Sequence, residues 1–253
     1  KGGFLMSSRA ELKRKAKNSL DGRKGKAALM VLVYSIMPFL FTLIPLVGPI
    51  ANAIIFPVLT YGLLKTFINL KNGEEIGAFD FFSNGFKDFG KVWGVSIRVV
   101  LKLWAPVLLG IIGYIVMFAG GISMYSSGVA DFSEIASNMI LIIGMLMVTG
   151  ASIWSIPITW KYIYAVNELA YDSSRTAIDI VNTSGKYMVG NRWKAFVLDF
   201  SFVGWYLLVG ITFGLILLWL MPYMLVTRIL FYEEISGRNE ESLAEPETIK
   251  TEE

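Results

Sequence analysis

The stretch Ala195-Phe-Val-Leu-Asp-Phe-Ser-Phe-Val-Gly-Trp205, continuing through apolar residues to Leu217-Leu-Trp-Leu-Met-Pro-Tyr-Met-Leu-Val-Thr-Arg-Ile-Leu-Phe-Tyr232, decides the fold. Between Ala195 and Tyr232 only Asp199 and Arg228 carry charge. As one helix this run would extend about 57 Å at ~1.5 Å per residue. A bilayer core is ~30 Å thick and is crossed by about 20 residues. The run is therefore expected to fold back as two membrane spans, turning near Gly210–Gly214. The remaining apolar blocks, read outward from this one, have the same character.

Composition agrees. The chain is 55% hydrophobic and 14% aromatic, with mean hydropathy +0.57. A soluble domain is nearer ~45–50% apolar. The expected class is an all-α integral membrane protein. The sequence holds neither cysteine nor histidine, which removes disulfides, thiolate chemistry, the common zinc and haem ligand sets and imidazole-based triads. Met6 is read as the native start, with residues 1–5 a non-native remnant, and the first apolar block as a retained span rather than a cleaved signal.

Six spans are expected, at about 27–46, 50–70, 91–117, 139–164, 193–209 and 211–232, forming three helical hairpins. Each hairpin is preceded by a short cytoplasmic amphipathic helix. The first of these, within 7–26, starts at a Ser cap with Glu11 three residues after Ser8, as in a capping box. Leu12, Ala16 and Leu20 form its apolar face and Arg9–Lys26 supplies a basic one, so it suits an anionic membrane surface or a simple positive-inside anchor. The second lies in Gly73–Gly90, where Phe79, Phe82, Phe86 and Phe89 fall on one arc at ~100° per residue. This arc is a candidate interfacial groove. The third covers Ser174–Met188, with Ala177, Ile180, Val181 and Met188 on its apolar side. Gly120–Asn138 reads as a loop with room for a re-entrant piece, and residues 233–253 as an acidic disordered tail.

Lysine and arginine fall in the N-terminal segment, in Lys71–Lys91 and in Arg175–Lys194, whereas the intervening turns have none. Both termini are thereby expected in the cytoplasm. Spans one, three and five are entered at Gly22-Arg-Lys-Gly25, Gly90-Lys-Val-Trp93 and Gly190-Asn-Arg-Trp193, and their partner helices each contain a proline, Pro57, Pro157 or Pro222. Three parallel repeats would explain this recurrence, as would the general frequency of Gly, Pro and Trp in spans. Trp205 and Trp219 are assigned to the outer aromatic belt, Trp193 and Tyr232 to the inner one.

Gly190-Asn-Arg-Trp-Lys-Ala-Phe-Val-Leu-Asp-Phe-Ser-Phe-Val-Gly-Trp205, Gly214, Leu218-Trp-Leu-Met-Pro-Tyr223 and Phe231-Tyr-Glu-Glu234 resemble the signature of a bacterial membrane family, domain-of-unknown-function family 975. Glu11-Leu-Lys-x-x-Ala16, Phe82-x-x-Gly-Phe-Lys87, Leu103-Trp104 and Ile156-Pro157 with Lys161 and Tyr164 extend the resemblance over nearly the whole chain. It implies a multi-pass protein of the bacterial cytoplasmic membrane and supplies no activity or catalytic residues.

The intramembrane polar candidates are Asp199, Arg98, Lys102, Lys161 and Arg228. A carboxylate at that depth needs a partner. Asp199 is either one half of a structural ion pair, with Arg98 and Lys102 the first candidates as partners, or a substrate or proton site. No phosphate-binding loop, metal cluster or Gly-x-Ser-x-Gly is present, so no catalytic, cofactor or metal residue is assigned. The expected function is a non-enzymatic membrane-embedded binding or accessory protein for a lipid, hydrophobic peptide or membrane-protein partner. The alternatives are a small transporter or channel subunit using Asp199 with Arg98/Lys102 and, last, a membrane-embedded enzyme. Anionic lipid of the cytoplasmic leaflet is the expected contact. Nucleic acid is not.

Overall fold

A computed structural model describes residues 7–45, 47–126 and 132–238, without the side chains of 123–126, 132–135 and 137. Every regular element among them is α-helical: α1 (Arg9–Ser19), α2 (Lys24–Thr42), α3 (Val47–Lys71), α4 (Asp80–Lys87), α5 (Phe89–Lys102), α6 (Trp104–Ser126), α7 (Phe132–Tyr162), α8 (Ala165–Tyr171), α9 (Ala177–Tyr187), α10 (Arg192–Phe200), α11 (Val203–Ile211) and α12 (Leu217–Ser236). Lys1–Met6, the middle of the Gly120–Asn138 segment and the tail beyond Arg238 lie outside the described residues. Among the described residues five stretches are long and apolar enough to cross a membrane: Lys24–Thr42, Val47–Lys71, Trp104–Ile122, Asn138–Tyr171 and Arg192–Ile211. The protein is therefore all-helical and fitted to a multi-pass membrane location.

The chain divides into two compact units, the first built from residues 1–96 and 164–253, the second from 97–163. In the first, α12 is central. It is apolar on every side and packs against α1, α2 and α3. The α1 cap forms as expected, Ser8 Oγ accepting from the Glu11 N–H at 3.2 Å. Its apolar face, Leu12, Ala16 and Leu20, is buried within the protein, so the face read as meeting the bilayer meets α12 instead. Arg23 ties the α2 start to the α3 end by donating to the carbonyls of Leu70 at 2.8 Å and Gly73 at 3.2 Å. The Leu70 carbonyl, in the last turn of α3, is one that a helix C-terminus leaves without an intrahelical donor. α4 crosses α3 so closely that a Cβ on Gly62 would lie 1.8 Å from the Phe81 carbonyl oxygen.

The second unit is the end of α5 with the α6–α7 hairpin. Its helices meet through Gly113 and Gly144: a Cβ on Gly144 would lie 2.8 Å from the Gly113 carbonyl oxygen. Backbones approach closely only where side chains are absent, the usual basis of helix association in lipid. Gly121 and Gly150 face open space.

Several boundaries differ from those expected. The third span breaks at Leu103 into α5 and α6, and the fifth breaks at Ser201–Phe202 into α10 and α11. The loop expected at Gly120–Asn138 is largely helical, since α6 continues to Ser126 and α7 begins at Phe132. The start of the acidic tail is not loose: α12 runs to Ser236, Gly237 caps it with φ 77°, and Glu233 and Glu234 are buried.

Candidate functional site

Three local arrangements concentrate the chemistry of the first unit. The most buried centres on Glu168, in α8, with 0% of its side chain exposed. Arg175 donates to its Oε1 at 2.7 Å and Arg238 to its Oε2 at 2.8 Å, and the Tyr232 hydroxyl donates to Oε2 as well. Arg175 also donates to Thr183 Oγ1 at 2.6 Å, which connects α8 to α9. Next to this knot Glu233 accepts from Lys71 and, at 2.5 Å, from the Tyr171 hydroxyl. Glu234 accepts from the Ser7 backbone N–H. Glu168 is thus matched by Arg175 and Arg238 and Glu233 by Lys71, as buried charges require, whereas Glu234 is met by a backbone N–H. Tyr232 stands amid the rings of Tyr164, Tyr171 and Tyr187, at centroid distances of 5.4, 6.0 and 6.3 Å. It is fully buried, so it belongs to this core and not to an aromatic belt. Arg238 lies over Tyr171, 4.8 Å from the ring centre. Burial works against the Arg238 charge, but hydrogen bonding to the Glu168 carboxylate outweighs it and holds its pKa above the ordinary value.

Asp199 is the second feature. Its Oδ1 accepts from Arg228 Nε at 2.8 Å, a pair joining α10 to α12 within one hairpin. The partner is therefore Arg228, and not Arg98 or Lys102. Those two are exposed on α5, and with Lys161 they fall in the second unit. Lys161 lies over the Tyr162 ring at 5.3 Å. Close by in sequence to the candidate groove, Asp88 joins α4 to α3, accepting from Tyr61 Oη at 2.6 Å and Lys65 Nζ at 3.1 Å. Burial opposes the Asp88 charge, yet these two partners hold its pKa below the ordinary carboxylate value.

The third feature is a cavity of about 370 Å³ bounded by α1, α2, α11 and α12. Ala27, Ile216, Leu220 and Pro222 make apolar walls, Trp205, Trp219 and Tyr223 add rings, and Lys17 and Lys24 line it as well. Lys24 is also held by Asp21 at 2.8 Å. Trp205 and Trp219 therefore lie near the basic N-terminal helix, which corrects their assignment to the opposite membrane face. The expected groove is shallower. Phe79 and Phe82 line a depression with Met37, while Phe86 and Phe89 continue the exposed arc by ring contacts at 4.5 and 6.1 Å.

The sequence did not single out Glu168, Arg175, Glu233 or Arg238. Glu168 carries the available signal, being the one acid in the short helix Ala165-Val-Asn-Glu-Leu-Ala-Tyr171. Glu233 and Glu234 read in sequence as part of an acidic tail because the stretch beyond Ser236 is glutamate-rich.

A family profile described as Protein of unknown function (DUF975) matches residues 6–239. No curated protein and no solved structure matches the chain.

Proposed function

The chain belongs to the family described as Protein of unknown function (DUF975), and on that premise we propose that it is a non-enzymatic, membrane-embedded binding or accessory protein. Its cargo is an amphiphile, a lipid or hydrophobic peptide, or a segment of a membrane-protein partner. The cavity beside α1 carries this reading, because apolar walls with aromatic rings and two lysines suit a molecule with an acyl-like body and an anionic head. The buried carboxylates favour the same conclusion: Glu168, Glu233 and Asp199 are each engaged by cations, as fasteners between helices. A transport role centred on Asp199 would call for a carboxylate that is not already paired with Arg228.

In this reading the protein is a multi-pass component of the bacterial cytoplasmic membrane with both termini cytoplasmic, following the distribution of lysine and arginine. α2, α3, α6 and α7 provide crossings. The helix order, with α1, α4 and α9 preceding successive pairs, supports the three-hairpin plan.

The test is lipid retention. Protein purified in a mild detergent should carry co-purifying anionic lipid detectable by mass spectrometry. Ala27→Trp, which fills the cavity, should lose that lipid while keeping a monodisperse elution profile. If wild type carries no amphiphile and no added lipid or hydrophobic peptide raises its melting temperature, the binding reading is wrong.

A further inference from the structure

The third hairpin was expected to cross the bilayer twice, and Arg192–Ile211 has the length and composition of a span. Its neighbours make that course difficult. α1 runs antiparallel along α12: the Ser7 N–H reaches Glu234, Leu12 and Phe231 line one cavity, and Leu20 shares another with Leu220 and Tyr223. α1 also accompanies α10 and the start of α11. Leu12 faces Trp193 and Leu198 across the first cavity, and Lys13 donates to the Ser201 carbonyl at 3.1 Å and lies over the Phe202 ring at 4.1 Å. Lys17 shares the second cavity with Trp205. Residues 193–205 and 220–234 thus lie level with a helix that presents Arg9, Arg14, Lys15 and Lys17 to its surroundings. Hydrocarbon does not accept such a helix.

Only the tip extends past α1. From Trp205 to Ile211 it rises about 9 Å at ~1.5 Å per residue, against a core of ~30 Å. The tip has no charged residue and its apolar side chains face outward: Leu207, Ile211, Leu215 and Trp219 are exposed, and Phe213 is 96% exposed. Phe213 and Gly214 turn the chain with φ 49° and 84°, so an aromatic residue occupies a left-handed conformation at the outermost point. Ile216 and Trp219 share their cavity with Ala27 of α2, which places the tip beside the first turns of a membrane helix.

We propose that residues 203–219 form a wedge that enters the leaflet on the α1 side and returns without crossing. Its partner is the bilayer itself, with Lys17 and Lys24 at the level of anionic headgroups. The depth matches that of interfacial apolar segments, ~5–10 Å. A non-crossing third hairpin leaves α2, α3, α6 and α7 as the crossings and keeps both termini on one side. The inference does not depend on which molecule fills the cavity.

The absence of cysteine makes the test direct. Single-cysteine variants Lys15→Cys on α1, Leu43→Cys in the α2–α3 turn and Phe213→Cys at the tip are exposed, in sealed vesicles of both orientations, to a membrane-impermeant maleimide. Lys15→Cys should react only from its own face and Leu43→Cys only from the other. Phe213→Cys should react from neither, and a fluorophore placed there should be quenched more by a nitroxide near the lipid headgroup than by one near the chain end. Reaction from the Leu43 face means that the hairpin crosses. Reaction from the Lys15 face means that the tip is in water. Stronger quenching from the chain end means that it reaches the midplane. Any of these overturns the proposal. Leu215→Cys serves as the tip reporter if Phe213→Cys fails to fold.

Discussion

Replacing Glu168 by glutamine tests whether the buried charge cluster holds the first unit together. Glutamine keeps the shape and one acceptor for Tyr232, but removes the charge that Arg175 and Arg238 face. Breaking a buried ion pair by deleting one partner costs about 3–5 kcal/mol. Here the arginine side chains retain 33% and 22% exposure, so water can partly resolvate them and the low end, about 3 kcal/mol, applies. At ~2–4 °C per kcal/mol for a chain of this size, the melting temperature in detergent should fall by roughly 6–12 °C. Arg175→Met should cost less, because Arg238 and Tyr232 remain on Glu168. The assay is tryptophan-fluorescence melting of purified protein, with size exclusion to confirm folding. A shift for Glu168→Gln smaller than that for Arg175→Met would refute the reasoning, since it would mean that the carboxylate is not the hub.

Other substitutions probe separate joints. Asp199→Asn removes the partner of a half-exposed arginine and should lower folded yield and melting temperature modestly, by about 1–3 kcal/mol; unchanged yield and melting would end the structural reading of that pair. Gly144→Leu should splay α6 from α7 and give aggregated protein on size exclusion, because even a Cβ there meets Met117 Cγ at 2.5 Å; a monodisperse variant with normal melting would show that the close approach is dispensable. Asp88 has a folded-state pKa below its ordinary 3.8, so its contribution to stability is present above that value and is lost as pH falls through the lower folded value. Asp88→Asn should therefore melt earlier than wild type at neutral pH, with the two converging in acid. A gap that persists at the lowest pH would point to packing instead of charge.

Helix identity was legible in the sequence because long apolar blocks and helix caps act locally. Ser8 and Glu11 formed the expected cap, and the prolines at 57, 157 and 222 fall inside α3, α7 and α12. Hydropathy failed where one helix covers another. Leu12, Ala16 and Leu20 give the same pattern whether they face lipid or α12, and only the fold distinguishes the two. Asp199 carries the signal of an intramembrane carboxylate, but depth along the chain favours Arg98 and Lys102 over Arg228, which the hairpin turn brings back beside it. Glu168 shows in the sequence only as a lone acid in a short helix, for a related reason. Its cations are Arg175, on a connecting segment, and Arg238, beyond the last helix, and nothing periodic links the three.

The contact between Ser7 and Glu234 spans 227 positions of the chain. A ribosome adding ~5–20 residues per second needs roughly 10–45 s to cover that interval. Throughout it α1 is already made while α12, which covers its Leu12–Leu20 face, is not. For that time a basic helix with a bare apolar stripe stands beside the nascent membrane helices, in the form best suited to adhere to lipid. Once α12 emerges it takes over that face, and the Ser7–Glu234 contact then joins the start of α1 to the end of α12.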